Sequence, residues 1–251
     1  MLKKGRQKKY FKAIGASMLD HLQSFFETKS PVELHLFRIQ IKKMKALLLF
    51  LQTDGQAKHE TGYLHSLQSI FKHAGRIRSA HINLGLLKRH RVTDPSYKLE
   101  LEHIEKKESE QFYAKRNAYI KTVKQIRKVL AEEFQDVNDK AIVNLYRRRL
   151  KQMARFFRQP ETNIDKLHKT RKKIKNLLYL YRILPKKLAQ KLHLNDTYLD
   201  QLQDVIGKWH DVVMSPKLLK MEGQAKKGNT TAISREQSNL YASIRRLSED
   251  F

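Results

Sequence analysis

Four residues at three, four and three spacing, His35, Arg38, Lys42 and Lys45, carry the first hint of chemistry in this sequence. On a helix turning 100° per residue they share a sector of about 80° and extend about 15 Å along the axis. Arginine offers a planar fork to phosphate oxygens, lysine a compact charge with three donors, and histidine a donor whose charge changes near pH ~6.5. The mixture suits phosphoryl groups strung along a chain. A second set repeats it: His168, Arg171, Lys175 and Arg182, inside a stretch from Lys166 to Asn195 that contains no acid. Arg148, Lys151, Arg155 and Arg158 form a third row.

A single row of this kind is usually a solvated helix face. Three features favour an anion site instead. The rows recur, they lack the interspersed glutamates that make i,i+4 pairs on exposed helices, and they adjoin apolar faces. Phe37, Ile41, Met44, Leu48 and Leu51 lie beside the first row, and Ile174, Leu177, Tyr181 and Leu184 beside the second. That places the cations at the edge of a core, facing a neighbouring element across a cleft.

The elements that must position these rows read as helices throughout. Apolar residues recur at three and four spacing, and nine glycines and five prolines interrupt them. The pattern predicts helices over 6–28, 31–52, 57–74, 76–91, 97–132, 137–158, 163–184, 186–206, 208–222 and 231–248, and no strand. Ser30, Pro31 and Glu33 form a capping box at the start of the second helix. Thr162 and Asp165 echo it more weakly. Residues Gly223 to Thr231 superficially resemble a phosphate-binding loop. Asn229 stands where the lysine is needed and no strand precedes it, so the segment reads as a flexible loop.

The echoed cap points to an internal repeat. His35-x2-Arg38-x2-Ile41-Lys42 matches His168-x2-Arg171-x2-Ile174-Lys175 at an offset of 133 residues. Gly75-Arg76-x-Arg78-Ser79 matches Gly207-Lys208-x-His210-Asp211 at an offset of 132. Two matches in the same order at nearly the same offset indicate two halves of one plan, 1–133 and 134–251. The fold class expected is all-α, two pseudo-symmetric antiparallel helical bundles from an internal duplication.

Charge narrows the partner. Lysine and arginine number 52 against 25 acids, a formal net charge of +27. Such a surplus repels itself unless a polyanion or counter-ions compensate it, which leaves nucleic acid, an anionic membrane or a phosphate polymer. Cysteine is absent, so disulfides and thiolate metal sites are excluded. No apolar run approaches the ~18 residues of a membrane span, and the basic segment Met1 to Lys12 lacks the apolar stretch of a signal peptide, so a cytoplasmic protein is expected.

His65, His73, His81 and His90 do not assemble by spacing into a metal site, and no His-Glu-x-x-His pattern occurs. No nucleophile with a base and orienting acid is visible, and carboxylates are scarce where a catalytic divalent cation would sit. The expectation is binding without catalysis, with no cofactor and no metal.

The paired His-x2-Arg-x3-Lys helices, each followed about forty residues later by a Gly-Arg/Lys-x-Arg/His-Ser/Asp turn, resemble the CHAD family, the conserved histidine alpha-helical domain. The resemblance covers nearly the whole chain. It implies two pseudo-symmetric bundles binding inorganic polyphosphate in a basic groove between the halves. It carries over to His35, Arg38 and Lys42 and to His168, Arg171 and Lys175. The family's usual Arg-Asp pair at the glycine turn reads Arg78-Ser79 in the first copy and His210-Asp211 in the second, and Lys45 corresponds to Leu178, so the halves contribute unequally. Some members are fused to a triphosphate-tunnel enzyme domain, for which this sequence has no motif. Polyphosphate-metabolising enzymes would then be separate partners, and polyphosphate granules a site of association. The alternative is a nucleic-acid-binding helical protein with Tyr10 and Tyr179 as stacking residues. A phosphate-transfer enzyme using a histidine nucleophile ranks behind both.

Overall fold

The structure is a computed structural model that describes residues 1–53, 61–89, 95–129, 134–159, 164–220 and 227–249, with the side chains of these except 49, 51–53, 61–64, 214–220 and 227–234. Ten α-helices run through the described residues: α1 Lys4–Thr28, α2 Pro31–Thr53, α3 Thr61–Arg89, α4 Pro95–Ala114, α5 Arg116–Val129, α6 Asp139–Phe157, α7 Ile164–Tyr181, α8 Lys186–Leu192, α9 Asp196–Lys220 and α10 Lys227–Glu249. Extended pairing among them is limited to one isolated antiparallel bridge, Leu2 to Val137. None of these helices is long and apolar enough to cross a membrane.

The helices divide into two compact units. The first comprises Met1–Gly85, Pro95–Asn138 and Ile183–Pro185. Its α1 and α2 are joined at Lys29, whose left-handed backbone (φ 57°) lets its N–H close on the Phe25 carbonyl. α1 packs against α2, with Phe11, Met18, Leu22 and Phe25 buried on the first helix and the stripe Leu34, Phe37, Ile41 and Met44 buried on the second. An aromatic group of Phe25, Phe26, Phe112 and Tyr119 fills one end, ring centroids 4.9–6.0 Å apart. The start of α1 has no side-chain cap of its own. Asp136 supplies one, its carboxylate accepting the Lys4 N–H at 2.6 Å, which holds that carboxyl below the usual range.

The second unit is built on α6 to α10. Ile142, Tyr146 and Met153 of α6, Leu167, Ile174 and Leu177 of α7 and Leu199, Leu202 and Ile206 of α9 are buried there. Tyr146 donates to the Leu177 carbonyl at 2.9 Å, and Arg245 of α10 closes on the carbonyls of Phe157 and Gln159 at the end of α6.

Several sequence expectations are corrected. Gly75 and Gly207 were expected at turns, but each lies inside a continuous helix, α3 and α9. A helical glycine costs about 1 kcal/mol relative to alanine, and buried Ala74, Ile77, Ile206 and Trp209 on the flanking positions outweigh it. The expected helix over 97–132 is interrupted at Lys115. That over 186–206 breaks at His193 (φ 46°), after which Asn195 caps α9 through the Tyr198 N–H at 3.0 Å. The capping box of α2 does not close, because the Glu33 carboxylate turns to His21 Nδ1 at 2.8 Å and the Ser30 N–H goes to Thr28 Oγ1. Thr162 lies outside the described residues. So do residues 223–226, while Lys227 to Thr231, expected in a loop, begin α10.

Candidate anion-binding site

The α2 row sits where an amphipathic helix puts residues beside its buried stripe. His35, Arg38, Lys42 and Lys45 are all half-buried, next to Phe37, Ile41, Met44 and Leu48, which are fully buried. Three of the four converge on one ring of α3. The Arg38 guanidinium carbon stands 4.0 Å from the Phe71 centroid, Lys45 Nζ 5.3 Å and Lys42 Nζ 5.9 Å. Arg38 Nη1 also donates to the Phe71 carbonyl. Beneath the guanidinium lies Gly75, where an added Cβ would stand 2.6 Å from Nη1.

The electrostatics of this cluster are set by cations drawn together at the edge of the core. Among the described residues no carboxylate lies within ion-pair distance of Arg38 or Lys45. Burial, and then the neighbouring Arg78, pulls Arg38 down to about 10, which leaves it charged at neutral pH. Burial, and then Lys72, lowers Lys45 as well.

The α7 row has the same anchor. Arg171 Nε donates to the Gln203 carbonyl of α9 at 2.9 Å, and a Cβ at Gly207 would stand 2.7 Å from its guanidinium carbon. His168, Arg171 and Lys175 are half-buried. His168 stacks on His210 with ring centroids 4.3 Å apart, and His210 Nδ1 lies 3.7 Å from Asp211. Gln203 occupies the position that Phe71 holds in the first row, so no ring stands at that position in the second. Its amide instead donates to Asp200 at 3.0 Å.

Other sequence candidates are placed differently. Arg182 is exposed in the turn after α7, which ends at Tyr181 and not at 184. Arg148, Lys151 and Arg155 are exposed, on the side of α6 opposite Ile142, Tyr146 and Met153, so this row does not border the core. Tyr179 is buried, and its hydroxyl is pushed up by that burial against the opposing pull of Arg171 and Arg182, so it presents no face for stacking. Sequence reasoning missed Phe71, Lys72 and the part played by the two glycines. Phe71 and Gly75, like Gln203 and Gly207, are four apart on one helix face, and that spacing was the available signal.

The CHAD domain model matches residues 9–220 of this sequence. The chain belongs to the CHAD family. The crystal structure of the CHAD domain from the plant Ricinus communis superposes with a TM-score of 0.64 at 18% identity, covering 97% of this chain and 92% of that one. No curated protein matches the sequence. CHAD domains are a family associated with polyphosphate binding, and the all-helical fold of this one agrees with its crystallographic neighbour. In this CHAD chain the His-x2-Arg-x3-Lys rows fall on α2 and α7, and each row's arginine is seated against a helical glycine.

Proposed function

We propose that this CHAD domain binds inorganic polyphosphate through the α2 and α7 rows and catalyses no reaction on it. The observation that carries the reading is the α2 cluster, where Arg38, Lys42 and Lys45 gather on Phe71 with Lys72 and Arg78 near enough to depress Lys45 and Arg38. Half-buried cations whose charged form is disfavoured by burial, and then by a neighbouring cation, are relieved by an anion, and a chain of phosphates supplies one negative group after another along the length of a basic row. The α7 row supplies the corresponding contacts from His168, Arg171 and Lys175. The exposed residues Arg148, Lys151, Arg155 and Arg182 add long-range attraction that speeds encounter. The internal duplication accounts for both rows, and the equivalent arginine contacts on α3 and α9 support it.

The test is competition at fixed ionic strength between long-chain polyphosphate and single- or double-stranded nucleic acid of equal total charge. Polyphosphate should bind more tightly, and affinity for each should fall with salt through counterion release. Equal or tighter binding of DNA across a salt series would establish the nucleic-acid alternative. Incubation of the complex with magnesium or manganese should leave polymer length unchanged. Phosphate release lost on Arg38→Ala would show an enzyme.

A further inference from the structure

We infer that Gly75 and Gly207 are positioning residues, seats that fix the guanidinium planes of Arg38 and Arg171 for the polyanion. The inference rests on the polyphosphate reading and deepens it. Glycine is the poorest helix former apart from proline, yet each of these stands inside a long helix with no turn to require it. What each requires is close approach. A helical carbonyl is flanked by the side chain four residues later, and when that residue is glycine an outside donor can reach the oxygen. Arg38 takes the Phe71 carbonyl four residues before Gly75, and Arg171 the Gln203 carbonyl four residues before Gly207. In both cases the guanidinium occupies the space a Cβ would fill.

The two seats hold different edges. Arg38 bonds through Nη1, which leaves the edge made by Nε and Nη2 for a phosphate. Arg171 bonds through Nε, which leaves the terminal edge of Nη1 and Nη2. A guanidinium so held has lost most of its rotamer freedom before the ligand arrives, which lowers the entropic cost of each bidentate contact. Gly15 provides the contrast. A Cβ there would meet the Arg127 side chain, Cγ at 2.8 Å, where α1 and α5 lie against each other, and among the described residues Arg127 reaches no carbonyl. That glycine serves packing alone.

The experiment combines thermal melting with titration of defined-length polyphosphate. Gly75→Ala and Gly207→Ala should each weaken polyphosphate binding about tenfold or more and make its salt slope shallower, because a displaced arginine no longer contacts the polymer. Gly15→Ala should lower the melting temperature with no change in affinity, as expected of a clash without a ligand contact. In an Arg38→Ala background, Gly75→Ala should leave affinity unchanged and raise the melting temperature, since the seat is empty and alanine is the better helix former. Arg38→Lys should likewise tolerate Gly75→Ala, because an ammonium has no planar fork to displace. Wild-type affinity in both glycine variants, or an equal fall in melting temperature for Gly75→Ala with and without Arg38, would overturn the inference. If the wild-type chain prefers DNA, the polyphosphate reading falls, while the melting cycle still decides whether the seats exist.

Discussion

Replacing Phe71 by leucine probes whether a ring face is what gathers the α2 cations. The Arg38 guanidinium at 4.0 Å is close and partly desolvated, so its interaction with the ring is worth about 1–2 kcal/mol, while the Lys45 and Lys42 amines at 5.3 and 5.9 Å lie near the outer limit and add about 0.5 kcal/mol between them. Leucine keeps most of the apolar volume and the backbone carbonyl that Arg38 bonds, so the expected loss of stability is about 2 kcal/mol, read by urea titration at fixed salt. Binding should weaken by about fivefold, a cost of about 1 kcal/mol, because the cations must be ordered by the ligand instead of the ring. No charge is removed, so the slope of log affinity against log salt should stay as in the wild type. Phe71→Tyr retains the ring and should retain affinity. Unchanged polyphosphate affinity in Phe71→Leu, alongside the expected loss of stability, would show that the ring serves the fold and not the site. A shallower salt slope would mean that a cation had left the polymer altogether.

Three further outcomes follow from hydrogen bonds within the first unit. His73 is buried, accepts from the Tyr119 hydroxyl at 2.7 Å and donates from Nε2 to the Glu108 carbonyl at 3.1 Å, and burial lowers its pKa against the partial support of Glu108. A histidine kept neutral by the fold contributes stability that is present above pH ~6.5 and is lost as pH falls toward its lower folded value, at up to about 1.4 kcal/mol per pH unit. Denaturant titrations from pH 7.5 to 5 should show that slope, and it should shrink in His73→Gln; identical profiles would refute the assignment. Tyr119→Phe should cost about 1 kcal/mol by leaving His73 Nδ1 without its donor, and should leave polyphosphate affinity untouched. Arg6→Ala should lower stability by about 1–2 kcal/mol, since that guanidinium closes on the carbonyls of Ile183 and Leu184, and no change in melting temperature would show those bonds to be replaced by water without loss.

The sequence by itself determined the helical class, the family and the two basic rows. These depend on local periodicity and residue type, and a helix carries both in its 3.6-residue repeat. Leu34, Phe37, Ile41 and Met44 are buried where their spacing puts them, and the cations beside them are half-buried for the same geometric reason. What lies between helices was not legible. Gly75 and Gly207 read as turns because glycine is a frequent helix breaker, and only the arginine brought over from a neighbouring helix shows why glycine stands there. The Asp136 cap on α1 and the Glu33 bond to His21 likewise join residues that no local pattern connects. The α6 row shares the three-four-three spacing of the others, yet it lies opposite its core face. Spacing fixes which residues share a face of a helix; which face the fold buries, and which ring or carbonyl waits beside it, is decided by packing against the rest of the chain.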